Sequence, residues 1–289
     1  MNLLVRINLV LAAAFALAAF AVGEACWTML QENAKQETLR EAGLMMDSAL
    51  SMRAYTAAEI VPLLNTQMEK EFLPQSVPSY AATKNFLHLH EKHPEYAYKE
   101  ATLNPTNLQD RAMDWESDLI QQFRNDEHHT EIVGERDTPT GTSLYLARPI
   151  RAEAKCLVCH SAPQAAPATL IQRYGSNNGF GWQVHEVIGA QVVSVPLATA
   201  TANATRIFRG VMGSIAAILI ATLLIVNIIL YYLVVRPVRR MATIADQVSL
   251  GNMASGEFPE HGSSELTNLG RAFNRMRTSL DKALTMLEE

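Results

Sequence analysis

Cys156-Leu157-Val158-Cys159-His160 is the stretch from which the rest of this chain is best read. It holds two of the three cysteines and is the one C-x-x-C-H in the sequence. In this pattern two thiols add across the vinyl groups of a haem, and the adjacent imidazole takes the iron from one face. Two intervening residues let both sulfurs reach neighbouring pyrrole rings. The competing reading is half of a zinc site, but no second Cys/His pair at the required spacing follows. The sequence therefore predicts one covalent haem of the c type on Cys156 and Cys159, with His160 on the iron.

Such attachment takes place outside the cytoplasm, so the stretch also bears on topology. One apolar run covers Ile7 to Val22, just after Arg6. A second covers Val211 to Val235 and is followed by Arg236, Arg239 and Arg240. The second is long enough to span a bilayer. The first could be a secretion signal cut after Ala19-Phe20-Ala21, but it leads straight into an uninterrupted helical pattern, which favours a retained anchor. Gly23-Glu24-Ala25-Cys26 makes a poor lipoprotein processing site, because an acid stands beside the cysteine. Cationic residues before the first run and after the second put both termini in the cytoplasm. Arg206 and Arg209 weaken that bias without reversing it. The expectation is a two-pass protein of a bacterial inner membrane with its middle segment in the periplasm. The net charge of -5 argues against nucleic acid as the main partner.

The expected organisation is an anchor over 1–23, an extracytoplasmic domain over 24–206, a second span over 207–235 and a cytoplasmic tail over 236–289. The domain opens with a helical stretch from Glu24 to Lys70, interrupted only by Pro62, and a second helix is predicted from about Thr106 to Asn125. In the second, Leu108, Ala112, Trp115, Leu119 and Phe123 share a face, and Thr106 or Asn107 caps the start. Strands are predicted at Tyr96 to Thr102, Glu131 to Arg136, Ser143 to Ile150 and Val187 to Leu197. Thr138-Pro139-Thr140-Gly141 reads as the turn of a hairpin. The expected class is α+β, an antiparallel sheet with helices to one side. Ala154 to Trp182 has little regular pattern and reads as an irregular loop over the cofactor.

In the tail, Leu266, Leu269, Phe273, Met276, Leu280, Ala283 and Leu287 alternate spacings of three and four, which is a heptad seam. Met241, Ile244, Val248 and Leu250 make a shorter seam ending at Gly251. Two such helices cannot bury their seams alone, so a parallel homodimer is expected. Glu265, Asp281, Glu288 and Glu289 argue against a helix lying on the membrane surface, which prefers a basic face.

The tail resembles a HAMP linker: Pro237 just after the membrane, Gly251 closing the first helix, Glu265 opening the second, and Phe273-Asn274-Arg275-Met276 within it. The segment from Leu44 to Pro196 resembles the single-haem c-type sensor-domain family with a PAS-like fold. The residues that carry this are Arg53-Ala54-Tyr55-Thr56, Phe72-Leu73-Pro74, Asn104-Pro105-Thr106-Asn107, Trp115-Glu116 and Ala147-Arg148-Pro149-Ile150. Further along come C-L-V-C-H itself, Gly179-Phe180-Gly181-Trp182, Ile188-Gly189-Ala190 and Val195-Pro196. The resemblance implies a membrane receptor that senses redox state or a small ligand at haem and signals through HAMP. Such receptors often continue into a kinase, cyclase or chemotaxis module, whereas this sequence stops at Glu289. A non-enzymatic protein acting on a cytoplasmic signalling partner in trans is therefore expected.

A strong sixth ligand would make the iron a redox switch, and an open face a gas sensor. The resemblance implies that the N-terminal helix can supply that ligand. Met45 and Met46 are the candidates, with Ala49 small enough one turn on to admit a flat macrocycle; the plain alternative is that both are core filler. Cys26 is some 40 Å from Arg53 along a continuous helix. His88, His90, His93 and His185 are rivals. Arg53 and Arg148 could neutralise haem propionates, or be ordinary ion pairs. Trp182 and Tyr174 could pack on the porphyrin edge, or simply in the core. The competing function is a membrane-anchored monohaem electron carrier, for which a HAMP seam has no use.

Overall fold

The computed structural model describes residues 3–126, 128–139, 141–252, 256–260 and 264–288. They fall into two units, Cys26–Phe208 and a second made of the residues up to Ala25 together with those from Arg209.

In the first unit, four strands form one antiparallel sheet: β1 (Ala97–Thr102), β2 (Ile132–Thr138), β3 (Gly141–Arg151) and β4 (Val187–Pro196), in the order β1-β4-β3-β2. The hairpin is present as β2 and β3, with Thr138 opposite Gly141; Thr140 of the turn lies outside the described residues. Alternation along the strands decides which helix covers which face. Leu144, Leu146, Val193 and Val195 pack against Ala42 and Met46 of α1 (Leu3–Tyr55). Their neighbours Ala147, Ala190 and Val192 point the other way, onto Leu119, Ile120 and Phe123 of α4 (Asp114–Asn125). Helices therefore cover both faces, not one as the order of elements suggests. The reason is that β4 is buried along almost its whole length and needs apolar cover on each side.

Two helices differ from the sequence reading. Residues 78–92 form α3 (Pro78–Lys92), which that reading left unassigned; Pro78 starts it, and Ala82 and Phe86 pack on Ala49. The helix expected from Thr106 begins at Asp114 instead. Asn107 does cap a turn, but a single 3-10 turn at Leu108–Asp110. Glu116 caps α4 itself, accepting from the Met113 backbone N–H at 2.8 Å.

Pro62 does not end the N-terminal helix. Its ring crowds the Ala58 carbonyl and it has no N–H to offer, so the chain widens into a π turn at Thr56–Ile60 before α2 (Val61–Met68). Pro237 does the same to Leu233: α7 (Leu197–Leu230) passes through a π turn at Tyr231–Val235 into α8 (Arg236–Ser249).

In the second unit, Met241, Ile244 and Val248 of α8 are buried with Phe258, whose ring stacks on Phe273 of α9 (Ser264–Glu288) at 5.0 Å. The Asn274 amide grips the connector, accepting from the Phe258 N–H at 2.8 Å and donating to its carbonyl at 3.1 Å. Leu250, expected in the first seam, is 80% exposed, since α8 ends before it. Leu269, Met276 and Leu280 stand exposed along α9; the side chain of Leu287 lies outside the described residues.

Candidate haem site

Between β3 and β4 the chain is less irregular than its composition suggests. A 3-10 turn at Ala154–Cys156 leads into a single helical turn, α5 (Leu157–His160), and α6 (Ala168–Tyr174) follows. Cys156 and Cys159 are free thiols, both half-buried, one helical turn apart on this element. Burial raises the Cys159 pKa.

His160 is held on three sides. Its Nδ1 is 2.7 Å from the Gly179 carbonyl oxygen, which can only accept, so Nδ1 carries the proton. The lone pair then sits on Nε2, the tautomer that a metal requires. The ring stacks on Trp182 at 3.9 Å with 14° between planes, and Thr106 Oγ1 stands 3.5 Å from Nδ1. The backbone closes the loop on itself, with Gly181 N–H donating to Ser161 at 2.9 Å and Trp182 N–H to the His160 carbonyl at 3.2 Å. Burial lowers the His160 pKa, against a smaller opposing effect of the Gly179 bond, so the imidazole stays neutral and able to ligate. Two thiols one turn apart beside an imidazole of fixed tautomer are a donor set that fits a covalent haem.

Gly179 is the pivot of this arrangement. Its φ of +82° is left-handed, and a Cβ there would lie 2.0 Å from Thr106 Oγ1 and 2.9 Å from the Thr106 nitrogen. Its N–H donates to Asn104 Oδ1 at 3.2 Å. The sequence offers Asn104 and Gly179 only as pieces of a family pattern, and Thr106 as such a piece or as a helix cap; their work in aiming the imidazole emerges from the fold.

The arginines are already engaged. Arg53 pairs with buried Glu100, which also accepts from the Tyr98 hydroxyl at 2.7 Å, and Gln191 donates to that hydroxyl at 3.2 Å. Arg148 donates to Asp47 at 3.1 Å and Glu131 at 3.0 Å. Tyr174 meets Phe72 edge to face at 5.7 Å, and Thr169 of α6 donates to the Met68 carbonyl at 3.1 Å, so α6 is tied to the end of α2.

Met45 and Met46 lie next to each other on α1. Met46 is fully enclosed against β3 and β4. Met45, half-buried, borders that cluster and the one formed by Ala49, Ala82 and Phe86. His88 and His93 face Glu91 and Glu95 at 3.6 and 3.7 Å, and His90 bonds the Tyr96 carbonyl. His185 adopts a φ of 69° and donates its backbone N–H to Ala152.

Comparison with known proteins adds two matches. Residues 31–196 match the Tll0287-like family, and residues 229–282 match the HAMP domain. No curated protein matches the chain. Among solved structures, the crystal structure of the cyanobacterial haem protein Tll0287 is 18% identical, with a TM-score of 0.44, covering 55% of this chain and 95% of that one.

Proposed function

Because this chain belongs to the Tll0287-like family and continues into a HAMP domain, we propose that it is a membrane-bound sensor that carries one covalent haem c and signals through HAMP. The observation that carries the reading is the Nδ1–H bond of His160 to Gly179, which leaves Nε2 free for iron beside two thiols one turn apart. A bound haem supplies an iron that changes oxidation state or takes up a small ligand. The chain's own residues do the rest. Cys156 and Cys159 would anchor the ring, Trp182 keeps the imidazole plane from turning, and Arg53 holds its positive charge against Glu100. Of Met45 and Met46, the α1 candidates for the iron's second protein ligand, Met45 is the one with an open side and would be the one to serve.

Arg6 before the first apolar run and Arg236, Arg239 and Arg240 after the second support a periplasmic sensor with both termini in the cytoplasm. The exposed seam of α9 supports a homodimer that passes its state to a cytoplasmic partner in trans.

The test starts with purified full-length protein. A pyridine haemochrome of the c type at one haem per chain, lost in a Cys156→Ser/Cys159→Ser variant, is the expected outcome. A b-type spectrum, or retention of covalent haem in that variant, sinks the assignment. Following spin labels on α9 during haem reduction then separates a sensor, in which they move, from an electron carrier, in which they do not.

A further inference from the structure

The second unit contains a polar contact that nothing in the haem reading uses. Asn8 Nδ2 donates to Asn227 Oδ1 at 2.8 Å, and Asn227 Nδ2 donates to Asn8 Oδ1 at 2.7 Å. Asn227 also donates to the Leu223 carbonyl of its own helix at 2.8 Å. Both residues lie inside the apolar runs, where an amide facing acyl chains goes unsatisfied unless the protein supplies a partner. Other polar side chains of the second run turn back on their own helix: Ser214 to Gly210, and Thr222 to Ile218. Asn8 and Asn227 look across instead.

The rest of the contact obeys one antiparallel register. Gly23, fifteen residues after Asn8, is buried and faces Met212, fifteen residues before Asn227; a Cβ on Gly23 would lie 3.3 Å from the Met212 methyl. Between these points Leu11, Phe15 and Ala19 recur every four residues as the half-buried face of one helix. Ile215, Leu219 and Leu223 recur in the same way on the other. Fifteen residues is about 22 Å of helix, so the match extends over most of a hydrocarbon core. A cleaved secretion signal would have no use for a partner held in register over such a length.

We propose that the first apolar helix is a permanent membrane span, fixed in rotation and register to the second span of the same chain by the reciprocal Asn8–Asn227 amide pair. A single polar pair in an otherwise apolar seam is the means by which helices choose one register among several of similar packing energy.

The test uses the full-length protein in membranes and reads no haem, so it is independent of the sensor assignment. Asn8→Cys with Asn227→Cys, in a Cys26→Ser background, should oxidise to an intramolecular disulfide that makes the monomer band migrate faster. Asn8→Cys with Ile220→Cys, off the shared face, should not. Asn8→Leu and Asn227→Leu should each lower the melting midpoint, and the double variant should lose less than the sum of the two. A mature chain lacking the first twenty or so residues, a cross-link that joins only two copies, or strictly additive losses would each overturn the proposal.

Discussion

Gly179 answers to three demands at once: a left-handed backbone, a near-contact with Thr106 and a carbonyl that fixes the His160 tautomer. The near-contact involves the Thr106 backbone nitrogen, so no side-chain rotation relieves it. Gly179→Ala should therefore cost about 1–3 kcal/mol of local strain and displace the carbonyl from Nδ1. Gly175 is the control, because its φ of +79° is also left-handed yet no atom lies within 4 Å of its Cβ position. Both variants should lose thermal stability, but Gly179→Ala alone should shift the Soret band and lower haem content per chain. Equal spectra in the two would mean that the Gly179 carbonyl does not aim the imidazole. At this scale the sequence was explicit about the chemistry and silent about its support. Cys-x-x-Cys-His declares itself by spacing, whereas its support is assembled by folding: Gly179 meets His160 across 19 residues, Thr106 across 54, and Asn104 acts through Gly179, 75 residues further along.

Elements show where periodicity speaks and where it does not. The strands and the hairpin are readable because β-branched and aromatic residues gather or alternate along them, between turn residues. The start of α4 was not, because Leu108 and Ala112 continue its apolar spacing backwards through a 3-10 turn that belongs to a different local geometry. α3 was missed because its sequence is amphipathic but poor in large aliphatic residues on the buried side, where Ala82 and Phe86 suffice. In α1, Ala42 and Met46 pack on the sheet and Ala49 packs against α3, so that Met46 is fully enclosed while Met45 stays half-buried at the border of the two clusters. Met46→Ala should cost about 2–5 kcal/mol, as emptying a core position does, and leave the haem spectrum unchanged. Met45→Ala should cost less and, if its thioether reaches the iron, give high-spin bands and new carbon monoxide binding. Spectral silence in both would remove α1 methionines from the coordination sphere and bring the histidines forward.

For the whole molecule, the question is what covers the surfaces that one chain leaves open. Within the second unit, α7 carries two distinct faces. Met212, Ile215, Leu219 and Leu223 are half-buried, with Met212 against Gly23 of the first apolar helix, while Gly213, Ala217 and Ala221 stand exposed at four-residue spacing. Small residues in that rhythm let a further helix approach closely in a membrane. In the tail, the α8 side of the pair is satisfied by Phe258 and Phe273, yet Leu269, Met276 and Leu280 of α9 remain exposed at coiled-coil spacing. In the proposed homodimer a second copy arranged in parallel would cover both open faces, because only then would the membrane and tail seams meet like with like. Single cysteines placed along α9 in membranes should cross-link between copies in a heptad pattern, strongest at Leu269, Met276 and Leu280 and weakest at Arg275 and Thr278. A second series at Gly213, Ala217 and Ala221 should cross-link above the level of Met212, which the first helix shields. A flat profile along α9 would argue for a monomer, and a maximum displaced to the polar face would mean that the seam packs against some other protein.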